Sequence, residues 1–172
     1  MQRLSFLNFA ARKALALIVM TLPFASSAHA SEYISTYVGA FDVFNEEGPS
    51  ATVYGLEYRY KNIYHGLRPL IGVEGNSDGA TYGYTGIIWD VALTDHIIFS
   101  PNTAIGAYRQ GGSKDLGYGL EFKSGAELAY QFDAGYRVGA AINHISNASL
   151  GSTNPGVEQV VAVFSYPLNF AE

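Results

Sequence analysis

Three side chains near the end of the chain are the parts of a nucleophilic triad. In "NHISNASLGSTNPGVE", residues 143–158, His144 and Ser146 stand two apart and Glu158 lies twelve residues beyond the serine. Two-residue spacing in a β-strand puts both side chains on one face. If the chain turns back after Ser146 and sets His144 opposite Glu158, the paired residues come within about 5 Å at Cβ. A hydroxyl, an imidazole and a carboxylate in that reach can open an acyl ester. Ser146 would attack the carbonyl, His144 would take its proton and return it to the leaving oxygen, and Glu158 would fix the imidazole tautomer. Asn147, with backbone N–H groups of the 151–156 loop, is the candidate to receive the oxyanion. The rival reading leaves the same polar groups at a strand end or loop with no chemistry.

The elements that must hold these residues are strands. Apolar and polar residues alternate along the chain, and Gly, Asn, Asp, Pro and Ser clusters interrupt the alternation every dozen or so positions. The pattern predicts eight strands, at 32–43, 51–61, 68–75, 80–92, 96–108, 117–131, 134–146 and 157–170. In the second, Thr52, Tyr54, Leu56, Tyr58 and Tyr60 oppose Val53, Gly55, Glu57 and Arg59. In the seventh, Tyr136, Val138, Ala140 and Ile142 share a face with His144 and Ser146. In the eighth, Val160 to Phe170 by even numbers form an apolar face that Glu158 precedes. Pairing His144 with Glu158 keeps both apolar faces intact, whereas a one-residue slip would turn a whole strand over.

Alternation alone fits either a soluble sandwich, with apolar faces inward, or an outer-membrane barrel, with apolar and aromatic faces toward lipid. Four features select the barrel. The strands are long enough to cross a bilayer when tilted. Tyrosines gather at strand ends, like an interfacial girdle. An even count of eight closes without an edge. The chain ends "FSYPLNFAE", with Tyr166, Leu168 and Phe170 alternating as in outer-membrane proteins, although two residues follow Phe170. The fold expected is all-β, an eight-stranded antiparallel transmembrane β-barrel. Its interior would hold Glu57, Arg59, Glu74, Asp90, Glu121, Lys123, Glu127 and Arg137 as a plug of ion pairs. A pore is disfavoured because eight strands leave room only for side chains. A soluble lipocalin-like barrel would leave the aromatic outer faces exposed to water.

Residues 1–30 read as a cleavable signal peptide. Arg3, Arg12 and Lys13 precede the apolar run 14–24, and "AHA" at 28–30 fits a cleavage site. Residues 31–172 then form a single barrel domain. Removing the leader leaves seven Lys and Arg against fifteen Asp and Glu, a net charge of −8, which argues against nucleic acid as a partner. The chain has no cysteine, so thiolate metal sites and cysteine nucleophiles are excluded. No spacing resembles a zinc or calcium loop, and neither a metal nor a cofactor is expected. His29 leaves with the leader. His65 and His96 fall at periplasmic turns, and Trp89 reads as an interfacial anchor. "GAYRQGG", residues 106–112, has the glycines of a phosphate loop but no strand-to-helix context.

With both termini periplasmic, the seventh strand ends at the cell surface and sets the triad at the level of the outer leaflet. The lipid there is lipopolysaccharide, whose acyl esters a sideways-opening hydrolase would meet. "HISNA" at 144–148, "NPG" at 154–156, Glu158 and the aromatic strand after it resemble the lipid A 3-O-deacylase (PagL) family. The resemblance is specific in the last thirty residues and loose elsewhere. It implies removal of the ester-linked acyl chain at position 3 of lipid A, without metal. His144, Ser146 and Glu158 would fill the triad, and Asn147 the oxyanion position. Partners would be lipopolysaccharide and outer-membrane lipid, and a lipid-facing surface permits a homodimer. The alternative function is a non-catalytic structural or adhesive outer-membrane barrel.

Overall fold

The computed structural model describes residues 32–45 and 50–168. The expected leader, with His29, lies outside the described residues, as does Phe170 of the C-terminal pattern. Eight strands form one antiparallel sheet: β1 (Glu32–Phe41), β2 (Ala51–Arg59), β3 (Leu67–Asn76), β4 (Thr81–Trp89, resumed by Val91–Ala92), β5 (Ile97–Arg109), β6 (Leu120–Gln131), β7 (Arg137–Ser146) and β8 (Val157–Leu168). Each strand pairs with its neighbours in sequence, and β1 pairs with β8, so the sheet closes on itself. Closure removes both edges, so the strands pair within the wall.

The period-2 pattern is obeyed around the wall. Val38, Tyr54, Ile71, Val73, Leu128, Ile142, Val160 and Tyr166 point outward and are exposed, while Glu57, Arg59, Glu74, Lys123, Glu127 and Arg137 point inward and are buried. That inversion separates a membrane barrel from a sandwich, whose apolar set would be the buried one. The aromatic residues at the end carrying the termini form a belt. Phe132 stacks on Tyr136 with ring centroids 4.4 Å apart and meets Tyr130 edge-on at 4.8 Å. His65 and His96 belong to the turns at this end. The His65 carbonyl accepts a 2.8 Å bond from Trp89 Nε1, and the His96 ring stacks on Tyr130.

The expected strand 80–92 is interrupted at Asp90. Continuing the register from Ile88↔Asn102 to Val91↔Phe99 sets Trp89 opposite Pro101, which has no N–H to give the ladder. Asp90 turns into the lumen, where its Oδ2 accepts from Arg68 Nε at 2.8 Å and Arg137 Nη1 at 2.9 Å. Arg68 joins the interior charges named from the sequence.

The lumen is filled. Arg59 bonds Glu57 at 2.6 Å and Glu127 at 2.7 Å, and Lys123 bonds Glu74 at 2.9 Å. Tyr37 donates to Glu74 at 2.7 Å, Tyr84 donates to Glu57 at 3.0 Å, and Gln159 Nε2 reaches Glu74 at 2.7 Å. Tyr37 also lies across Gly55, where a Cβ would stand 2.2 Å from the ring. These contacts join strands from opposite sides of the wall, and through Gln159 they reach β8. Glu121 is fully buried and makes no ion pair among the described residues.

Candidate active site

The register places His144 and Glu158 as their spacing requires. β7 and β8 pair His144 directly with Glu158, and the next pair, Ile145↔Val157, is the last of the ladder. His144 Nδ1 lies 3.0 Å from Glu158 Oε1. An ionised carboxylate can only accept, so Nδ1 carries a proton, and in the neutral ring Nε2 then holds the lone pair. Both side chains are on the outer face, the imidazole 46 % exposed and the carboxylate 32 %. This pair does not belong to the buried lumen network; it meets whatever surrounds the barrel.

Ser146 continues the same outward face from β7 and is half-buried. On its other side β6 pairs Phe122 with Ser146 and Ser124 with His144. The structure therefore brings hydroxyl, imidazole and carboxylate to one end of two adjacent strands. Below them on the outer wall lie Val138, Ala140 and Ile142 from β7 and Val160, Ala162 and Phe164 from β8. A polar, reactive group thus tops an apolar surface, the arrangement an amphiphile would meet with its head level with the site.

Asn147 sits beneath this group instead of in it. It is fully buried, and its Nδ2 donates to the carbonyls of Leu116 at 2.7 Å and Thr153 at 2.8 Å. Both amide protons expected to meet an oxyanion are thus spent on holding two loops together. Its backbone N–H donates to Asn154 Oδ1 at 3.0 Å. Asn154 was not singled out by sequence, and its signal was only its place in "NPG". It is exposed, and with Oδ1 engaged its Nδ2 is left as a donor on the loop beside Ser146. The chain reverses straight after the serine. Leu150 N–H donates to the Asn147 carbonyl at 3.0 Å, with positive φ at Ala148 (53°) and Ser149 (66°). Two non-glycine residues in the left-handed region are uncommon, and they fix the direction of the amides that follow Ser146.

The loop's dependence on Asn147 gives an expected result. In Asn147→Leu the carbonyls of Leu116 and Thr153 lose their donor, at about 1–3 kcal/mol for the buried Leu116 and less for the exposed Thr153. Limited proteolysis should then cut within 147–156 faster than in the parent, while the heat-modifiable gel mobility of the folded barrel is kept. Equal cutting rates would mean that the loop is held by something else.

No cluster of His, Cys, Asp or Glu suited to a metal ion occurs among the described residues. Comparison with known proteins follows from this geometry. A family profile described as "Lipid A 3-O-deacylase (PagL)" matches residues 52–167. A crystal structure of the outer membrane enzyme PagL superposes with a TM-score of 0.62 at 21 % identity, covering 79 % of this chain and 99 % of that one. A de novo designed transmembrane β-barrel superposes with a TM-score of 0.58 at 9 % identity, covering 82 % and 98 %. A search of curated proteins finds no match.

Proposed function

The chain belongs to the lipid A 3-O-deacylase (PagL) family, and we propose that it is an outer-membrane esterase that removes the acyl chain at position 3 of lipid A. The observation that carries this reading is the exposed His144–Glu158 pair, 3.0 Å apart on the outer wall with Ser146 on the same face. An imidazole and a carboxylate facing lipid are costly, and a purely structural barrel has no use for them.

The chemistry follows from the positions. Glu158 holds the Nδ1–H, so His144 Nε2 is the base that takes the Ser146 proton as Oγ bonds to the ester carbonyl carbon. The charge that develops on the carbonyl oxygen needs donors, for which Asn154 Nδ2 is the candidate. Collapse breaks the bond to the sugar oxygen, which receives the proton from His144. Water then attacks the acyl-serine by the same route, freeing the fatty acid and restoring Ser146. No metal or cofactor enters these steps. The outer wall below the site takes the acyl chains, so the lipid need not leave its leaflet.

The reading is tested by product identity. Purified protein in detergent is incubated with lipopolysaccharide, and the lipid A is analysed by mass spectrometry. Loss of one hydroxyacyl chain, assigned to position 3 by fragmentation, is the expected result. Loss from another position would change the substrate assignment. Unaltered lipid A, with the barrel shown to be folded, would favour the non-catalytic barrel.

A further inference from the structure

We infer that Gly156 is a positioning residue for His144, its bare Cα being the surface against which the imidazole settles. This inference rests on the triad reading and adds a residue to it. Continuing the β7–β8 ladder one step beyond Ile145↔Val157 sets Gly156 opposite Ser146. Its φ is +63°, a conformation that side-chain-bearing residues seldom adopt. A Cβ at this position would stand 2.9 Å from His144 Cε1 and 3.6 Å from Nε2. The first distance is too short for two carbon atoms, so the ring would have to move.

The direction of that movement matters. His144 is tethered at Nδ1 by Glu158, and an added Cβ at Gly156 would press on Cε1, the carbon between Nδ1 and the Nε2 that must face the serine. A methyl group there would swing Nε2 away from Ser146 or pull Nδ1 from the carboxylate. Either change damages proton transfer, and neither touches the apolar wall on which the acyl chains lie. The same residue meets two demands at once: the loop needs a left-handed turn into β8, and the base needs an empty space.

Three variants separate these demands. Gly156→Ala brings both the strain and the Cβ. Gly156→Asn tolerates the left-handed conformation but keeps the Cβ. Gly79→Ala carries strain alone: its φ is +86°, and the nearest atom to an added Cβ is 4.0 Å away, in a different loop. Hydrolysis of a p-nitrophenyl acyl ester in detergent is followed for each variant, with folding checked by heat-modifiable gel mobility. Both Gly156 variants are expected to lose roughly tenfold to a hundredfold in kcat, the scale of a small misplacement of a catalytic group, with KM within about twofold of the parent. Gly79→Ala should match the parent. If Gly156→Asn recovers the parent kcat, strain alone is at work and the inference fails; it fails equally if both variants are fully active.

A measurement on the unaltered protein stands if the Gly156 variants do not fold. A nuclear Overhauser contact between Gly156 Hα and His144 Hε1 is expected in detergent micelles, and its absence overturns the inference. Failure of the underlying triad looks different. A fluorophosphonate probe would then still label Ser146→Ala, whereas failure at Gly156 alone leaves labelling at Ser146 intact.

Discussion

Ser146→Ala is expected to lower ester hydrolysis by about 10⁶-fold, His144→Ala by a similar factor, and the double variant by no more than either single one. The reason is that the two groups act in one event: without Oγ there is nothing for the imidazole to deprotonate, and without Nε2 the hydroxyl is a weak nucleophile. What survives is whatever the oxyanion donors and substrate binding supply alone. The substitutions suit the test because both side chains project outward from the wall and the β6–β7 and β7–β8 ladders run through their backbones. Initial rates of fatty-acid release, with the folded fraction measured on each sample, give the comparison. A Ser146→Ala enzyme within tenfold of the parent would remove Ser146 from the mechanism. Losses that multiply in the double variant would mean that the two residues act separately.

Glu158→Gln should cost about 10⁴-fold in kcat while leaving KM nearly unchanged, by analogy with the loss seen when the acid of a serine-protease triad becomes an amide. In the proposed mechanism the carboxylate acts on the imidazole and not on the substrate, so binding should be spared. Glutamine is nearly the same shape, but it can turn its NH2 toward Nδ1. His144 then carries its proton on Nε2, pointing it at Ser146 instead of accepting from it. The amide also offers no charge to balance the imidazolium that forms during attack. Glu158→Asp keeps the charge at a shorter reach and should fall between parent and Gln. A Gln variant that loses less than tenfold would show that the 3.0 Å contact orients nothing the reaction needs.

Much of this site was legible in the sequence because a strand has a period of two. Parity alone sent His144, Ser146 and Glu158 to one face, and His144 opposite Glu158 was one of the registers that preserve the apolar faces of β7 and β8; it is the one the structure has. The same parity sends Asn147 inward, after Asn143 and Ile145, toward the buried position it occupies. Its place beside the serine outweighed that signal in assigning it to the oxyanion. The break at Asp90 had a legible cause in Pro101, but only once the register put Trp89 across from it. Arg68 shares the parity of Glu74 on β3, so its inward aim was legible, whereas its partner Asp90, 22 residues on at the break in β4, was not. The contacts of Asn154 and Gly156 could not be read from "NPG" for a different reason. Loop conformation has no period to read, and a glycine's use lies in what surrounds it.

Under the proposed mechanism, the outward aim of the His144–Glu158 pair also fixes how turnover should be measured. A catalyst whose reactive groups lie on the wall, not inside the barrel, draws its substrate from the surrounding film by lateral diffusion. The concentration that matters is then a mole fraction among neighbouring lipids, and litres of buffer do not enter it. Adding inert detergent at constant total lipopolysaccharide thins the substrate around each barrel and slows turnover, although nothing has bound to the protein. Rates from different preparations can be compared only at a common surface density.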